Sequence, residues 1–83
     1  MTGAEGITYS TAAERFAWNL RIARCRAMLR QRDLADRMGK DQSAISVWES
    51  GRCLPRTHSI VRLAEALEIE PGELLRGTKG LGS

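Results

Sequence analysis

The stretch from Gln31 to Gly51 constrains the fold of this chain most, because it predicts two short helices joined by a tight turn. Leu34, Ala35 and Met38 share one face of the first helix. A glycine follows them directly, as is typical of the left-handed residue that ends a helix. The next two residues form the predicted turn, and the second of them, Asp41, is a favourable N-cap for the second helix.

The second of these helices, from Gln42 to Ser50, has an unusual composition for a helix on a protein surface. Ile45 and Trp48 stand three residues apart and are its two core candidates. Its remaining side chains are mostly small or polar, whereas surface helices usually carry Lys and Glu. A slim and nearly uncharged helix of this kind suits insertion into the major groove of DNA.

The same stretch carries a resemblance to a known family. The residues that carry it, by their type and spacing, are Gln31, Leu34, Ala35, Met38, Gly39, Ile45, Glu49, Ser50 and Gly51. Over about residues 14 to 75 the chain resembles the DNA-binding domain of the phage lambda repressor and Cro family, also called the XRE family. The resemblance implies an all-α fold, a compact five-helix lambda-repressor-like domain with the helix-turn-helix formed by helices 2 and 3.

Length and patterning predict one domain with a loose segment at each end. Residues 1–10 lack periodicity and are expected to form a flexible arm, residues 11–76 the domain, and residues 77–83 a flexible, Gly-rich tail. Thr11 and Glu14 form a capping box, which predicts that a first helix begins near Ala12. The apolar spacing that follows extends this helix to about Leu29.

Two further helices are predicted after the helix-turn-helix. The stretch from Thr57 to Leu67 has apolar residues at helical spacing. Pro71 begins a short fifth helix, in which Leu74 and Leu75 are expected to close the core. Glu70 stands where relatives often have Ser or Asp as the cap, so the start of this helix is expected to fray.

The net charge of +3 is unevenly distributed along the 83 residues. From Arg15 to Arg62 there are eleven Lys or Arg residues against four acidic ones, a net charge of +7, whereas each flanking segment carries −2. A surface that binds phosphates requires such a local excess of positive charge. Double-stranded DNA is therefore the expected partner.

Other classes of function find little support in the sequence. There is no run of about 18 apolar residues and no basic-then-apolar leader, so a cytoplasmic location and no membrane contact are expected. Cys25 and Cys53 belong to no Cys-x-x-Cys pair and are expected to be reduced thiols. With the single His58 they are too few for a zinc site. No cofactor, small-molecule substrate or catalytic set of residues is predicted, so an enzyme is not expected.

Four residues of the predicted third helix are expected to contact bases. The amide of Gln42 can donate and accept at once, which matches the N6 and N7 edge of adenine. Ser43 and Ser46 are the next candidates. Val47 could contact a thymine methyl group, or it could instead pack beneath a loop.

The expected contacts with the DNA backbone surround this helix. The candidates are Arg30, Gln31, Lys40, Ser50, Arg52 and Arg56. The resemblance implies that Gln31, at a helix start that attracts phosphate, contacts the backbone and steadies Gln42. The alternatives are an ordinary polar helix start for Gln31, solvated charges for the basic residues, and a helix-end residue without DNA contact for Ser50.

The resemblance also implies a structural ion pair between Arg24 and Glu49, since an arginine at this point of the first helix pairs in the family with a glutamate near the end of the recognition helix. A bidentate pair would fix the angle at which the third helix is presented. The alternative is a solvated Arg24 that contacts phosphate.

These features together predict a sequence-specific DNA-binding transcriptional regulator, expected to be a repressor. It would bind operator DNA as a homodimer, with two half-sites about 34 Å apart. The alternative is an antitoxin-type module that binds a partner protein and also represses its own operon.

Overall fold

The computed structural model describes residues 11–78, which form five helices and no strand. The helices are α1 (Ala12–Arg26), α2 (Gln31–Met38), α3 (Gln42–Ser50), α4 (Thr57–Leu67) and α5 (Pro71–Leu74). The all-α, five-helix fold is as predicted, and α2 and α3 form the helix-turn-helix. The predicted arm at residues 1–10 lies outside the described residues, and so do residues 79–83 of the predicted tail (77–83). Residues 77 and 78 continue the turn that follows α5.

All five helices contribute to one hydrophobic core. Its fully buried large side chains are Phe16, Leu20, Leu34, Ile45, Leu63 and Leu74. The apolar stripe of α1 continues through Ala23 to Ala27 at the C-cap, and both residues are partly buried against this cluster. Because the individual helices are short, their stability depends on burying these faces against one another. No helix within residues 11–78 is long and apolar enough to cross a membrane.

The first helix begins where the capping box predicts and ends earlier than predicted. The Thr11 side chain accepts a hydrogen bond of 3.0 Å from the Glu14 amide, and α1 starts at the next residue. The helix ends at Arg26, whereas the prediction extended it to Leu29. Met28 has a left-handed φ of 60°, and the Leu29 amide bonds back to the Arg24 carbonyl, which closes the helix. Met is not a residue that signals this conformation, so the pattern did not reveal the stop.

The turn between α2 and α3 has the predicted backbone. Gly39 ends α2 with a φ of 66°, and Asp41 occupies the N-cap position of α3. The Asp41 carbonyl accepts a 3.0 Å hydrogen bond from the Ala44 amide. However, its exposed side chain makes no capping hydrogen bond, so the prediction that this carboxylate caps α3 is wrong. The sequence indicated the cap position but could not determine where the side chain points.

Two arginines join α2 to α4 through the carbonyl ends of both helices. Arg37 Nη1 donates to the Ala66 carbonyl at 2.9 Å, near the end of α4. Arg62 Nη2 donates to the Met38 carbonyl at 2.6 Å, at the end of α2. The last carbonyl groups of a helix lack hydrogen-bond partners within it and attract cations. Each arginine therefore donates a hydrogen bond to one such carbonyl of the other helix. This reciprocal pairing helps to hold the helix-turn-helix on the body of the domain.

The short α5 packs against α1 and α4 through one leucine. Leu74 is fully buried, but Leu75 is 36 % exposed, so the prediction that both leucines close the core is wrong. Consecutive residues of a helix point about 100° apart, and a single turn can direct only one of them inward. Glu70 makes no side-chain capping bond, and Asn19 Nδ2 instead secures the end of α5 by donating to the Leu74 carbonyl at 2.9 Å.

Candidate nucleic-acid interface

One side of α3 is directed to solvent along its whole length. The exposed residues on it are Gln42, Ser43, Ser46, Val47 and Ser50. Ile45 and Glu49 are buried on the opposite side, and Trp48 is half-buried against the core. All four candidates for base contact therefore lie on the same accessible face. Because Val47 is 39 % exposed, the alternative that it packs beneath a loop does not hold.

Arg24 of α1 and Glu49 of α3 form the ion pair that the resemblance implied. Arg24 Nε lies 2.6 Å from Glu49 Oε2, and Nη2 lies 3.1 Å from Oε1, so the pair is bidentate. The Glu49 side chain is 3 % exposed and that of Arg24 16 %. The hydrogen bond to Glu49 raises the pKa of the Arg24 guanidinium. This contact ties α3 to α1, and the alternative of a solvated Arg24 does not hold.

Gln31 connects this ion pair to the exposed face of α3. Its Nε2 donates to Glu49 Oε1 at 3.0 Å, and its Oε1 accepts from Gln42 Nε2 at 3.3 Å. The contact between Gln31 and Gln42 is the one implied by the resemblance. The contact between Gln31 and Glu49 was missed, since the two residues stand on different helices and no local pattern relates them.

A basic hollow of about 380 Å³ opens beside Gln42 at the start of α2. Its lining residues are Arg24, Arg30, Gln31, Arg32 and Gln42. Arg32 was not among the sequence candidates, although its place directly after Gln31 puts it in the first turn of α2, where phosphates are favoured. Two exposed arginines and the amide of Gln31 here offer suitable donors for a phosphate group.

Arg30 also pairs with an acidic residue of its own helix start. Its Nε lies 3.1 Å from Asp33 Oδ2, and its backbone amide donates to the same oxygen at 2.9 Å. These hydrogen bonds from the Arg30 side chain and backbone lower the pKa of Asp33. The Arg30 side chain nevertheless remains 77 % exposed, so it faces solvent at the edge of the hollow.

The other backbone candidates lie near the two ends of α3. Lys40 precedes the helix, while Arg52 and Arg56 follow it in the loop to α4, and all three are exposed. The Ser50 hydroxyl donates to the Val47 carbonyl at 2.5 Å and accepts from the Arg52 amide at 3.3 Å. Ser50 therefore closes the end of α3 with its own hydroxyl, and a contact with phosphate would require this hydroxyl to turn away from the Val47 carbonyl.

Residues 11–78 contain no group of three or more His, Cys, Asp or Glu residues that could hold a metal ion. Cys25 and Cys53 are both free and exposed. The exposed side chains on and around α3 include amides, hydroxyls, guanidinium groups and the Lys40 ammonium, which commonly contact nucleic acids, together with the apolar Val47 and the carboxylate of Asp41.

Comparisons with known proteins agree with this geometry. A sequence model of the family described as Helix-turn-helix (HTH_3) matches residues 20–74. The structure is similar to that of the restriction-modification controller protein C.AhdI from Aeromonas hydrophila, with a TM-score of 0.71 and 37 % sequence identity over 75 % of this chain and 94 % of that one. It is also similar to a hypothetical transcription factor, NHTF, from Neisseria, with a TM-score of 0.72 and 28 % identity over 76 % of this chain and 72 % of that one.

No curated protein matches the sequence. The family match covers more than half of the chain and includes α2 and α3 in full. The chain therefore belongs to the XRE-type helix-turn-helix family of DNA-binding transcription regulators.

Proposed function

We propose that this protein is a sequence-specific transcriptional regulator that inserts α3 into the major groove of an operator. The observation that carries the proposal is the outer face of α3, where small and polar side chains are exposed and Glu49, the one charged side chain within the helix, is buried. Such a face allows close approach to base edges, because it presents neither bulk nor negative charge to the duplex.

Individual roles follow from position on this surface. The proposed base contacts are Gln42, Ser43, Ser46 and Val47. The proposed backbone contacts are Arg30, Gln31, Arg32, Lys40, Ser50, Arg52 and Arg56. The backbone contacts would provide affinity and register, whereas the base contacts would provide sequence choice. This division predicts different consequences for substitutions in the two sets.

We further propose that the protein acts in the cytoplasm as a homodimer and represses transcription by occupying a promoter. Its likeness to a restriction-modification controller supports a role in gene control. A dimer would place two α3 helices in successive major grooves, about 34 Å apart. Sedimentation with a duplex containing two half-sites should give two protein chains per duplex. A single chain per duplex at saturating protein would contradict the dimer.

The sequence-specific role can be tested by selecting bound sequences from random duplex DNA. Wild-type protein should enrich one motif, and Gln42→Ala should relax the preference at one base pair, at a loss there of about 1–3 kcal/mol. Circular dichroism of the variant would verify that the domain is still folded. Enrichment of no motif by the wild-type protein would contradict the proposal.

A further inference from the structure

We infer that Glu49 determines which base the interface prefers without itself contacting DNA, because it fixes the direction of the Gln42 amide. This inference rests on the proposed function and deepens it by giving Glu49, a residue outside the proposed DNA contacts, a role in the choice of base. The observation that carries it is the chain of side-chain hydrogen bonds from Glu49 through Gln31 to Gln42.

The direction of this chain starts from the chemistry of a carboxylate. Glu49 is held by the guanidinium of Arg24 and can only accept hydrogen bonds. Gln31 must therefore turn its NH2 group toward Glu49, at the observed 3.0 Å. Its carbonyl oxygen is then left facing Gln42, which has to donate. A neutral amide next to water could adopt either orientation, but Gln31 has only one that satisfies both contacts.

The consequence for Gln42 is a defined pattern on its outer side. One N–H of its amide donates to Gln31, which leaves one N–H donor and one carbonyl acceptor for a base. Adenine offers the matching pair in the major groove, an N7 acceptor and an N6 donor. Guanine offers two acceptors, O6 and N7, and would oppose the Gln42 carbonyl. The chain of hydrogen bonds therefore selects adenine and rejects guanine.

Replacement of Glu49 by Gln should reverse the whole chain. A carboxamide has to place its NH2 group at one of the two oxygen positions. Oε2 lies only 2.6 Å from Arg24 Nε, whereas Oε1 lies 3.1 Å from Arg24 Nη2 and 3.0 Å from Gln31, so the NH2 group fits better at Oε1. It then donates to Gln31, whose amide turns over and donates to Gln42. The Gln42 carbonyl becomes an acceptor, and its NH2 group presents two donors, which match guanine.

The test is a selection from random duplex DNA with wild-type protein and four variants. Gln42→Ala identifies the base pair that Gln42 reads. At that position the wild type should prefer adenine, and Glu49→Gln should lower the ratio of adenine to guanine about tenfold or more. Gln31→Met keeps the ion pair but frees the Gln42 amide, so it should reduce the discrimination between the two bases. Glu65→Gln makes the same chemical change on an exposed residue of α4 and should change nothing.

The outcomes separate this inference from the proposed function. A wild-type selection without any motif overturns both. A clear motif in which the Gln42 position is not adenine, or in which neither Glu49→Gln nor Gln31→Met changes the ratio of adenine to guanine, overturns the inference alone. Circular dichroism of each variant would detect loss of folding. If Glu49→Gln does not fold, the result with Gln31→Met decides.

Discussion

The carboxylate of Glu49 is enclosed, and three hydrogen bonds from Arg24 and Gln31 satisfy it. A charge in such a place is tolerated because its partner is present, and loss of the partner leaves it desolvated and unpaired. The same carboxylate ties α3 to α1 through Arg24. It also accepts a hydrogen bond from Gln31, which in turn accepts one from Gln42. At the residue scale, therefore, stability and the proposed DNA recognition depend on one buried group.

Substitution of Arg24 by Met should show whether the ion pair with Glu49 stabilises the fold more than an ordinary surface charge does. We expect Arg24→Met to lower the free energy of unfolding by about 3 kcal/mol, because the Glu49 carboxylate loses its counterion. Arg26→Met makes the same change on an exposed position of α1 and should alter the stability by less than about 0.5 kcal/mol. Urea denaturation measures both. Equal effects of the two substitutions would show that the pair contributes nothing specific.

The contact between Arg30 and Asp33 predicts a dependence of stability on pH. Because the pKa of Asp33 is lower in the folded protein, its contribution is present above the unfolded value of about 3.9 and is lost as the pH falls through the folded pKa. Asp33→Asn should therefore lower the melting temperature slightly at pH 7, and the difference from wild type should shrink as the pH falls below about 3.9. Asp36→Asn, an exposed carboxylate on the same helix, is the control. A difference that persists unchanged at acid pH would exclude this contact as the cause.

At the scale of helices, the orientation of α3 depends on how its ends are closed. Gly51 ends α3 with a φ of 81°, and a Cβ atom there would lie 3.2 Å from Glu14 Cγ and 3.4 Å from Glu14 Cα. Gly39 ends α2 with a φ of 66°, and a Cβ atom there would meet nothing within 4 Å. The two glycines share the same backbone requirement but differ in their surroundings.

This difference makes the two glycines a matched pair for an experiment. Gly39→Ala should lower the free energy of unfolding by about 1 kcal/mol, which is the strain of a left-handed alanine. Gly51→Ala should lower it more, since the end of α3 must also move away from α1. Only Gly51→Ala should weaken DNA binding at temperatures where both variants are folded. Thermal unfolding and fluorescence anisotropy measure the two effects, and identical results for both glycines would contradict the role of the Glu14 contact.

At the scale of the whole molecule, the uneven distribution of charge predicts how binding responds to salt. Binding to a selected duplex should weaken steeply as salt rises, because phosphate contacts release counterions. Arg52→Ala should weaken all duplexes alike and reduce the slope of log K against log salt by about 1. Arg76→Ala removes the same charge beside a different hollow, between α1 and α5, and should leave the slope unchanged. Equal slopes for the wild type, Arg52→Ala and Arg76→Ala would exclude Arg52 as a phosphate contact.

Much of this fold could be predicted from local sequence because the relevant interactions are local. The capping box at Thr11, the glycine ends of α2 and α3, and the apolar spacing of α4 involve residues within one or two helical turns. The errors have local causes too. Met28 adopts a left-handed conformation without a glycine, and Leu75 follows the single leucine that one turn can direct inward. The proposed DNA contacts remain predictions.

The sequence by itself determined which segments are helical, which residues carry the positive charge, and that α3 has a slim, polar outer face. These properties follow from residue type and spacing. Only the tertiary structure decided that Gln31 contacts Glu49, that Arg62 binds the end of α2, and that Arg32 lines the hollow beside Gln42. The physical reason is that such contacts depend on how the helices pack, which sets the distances between side chains that no local spacing relates.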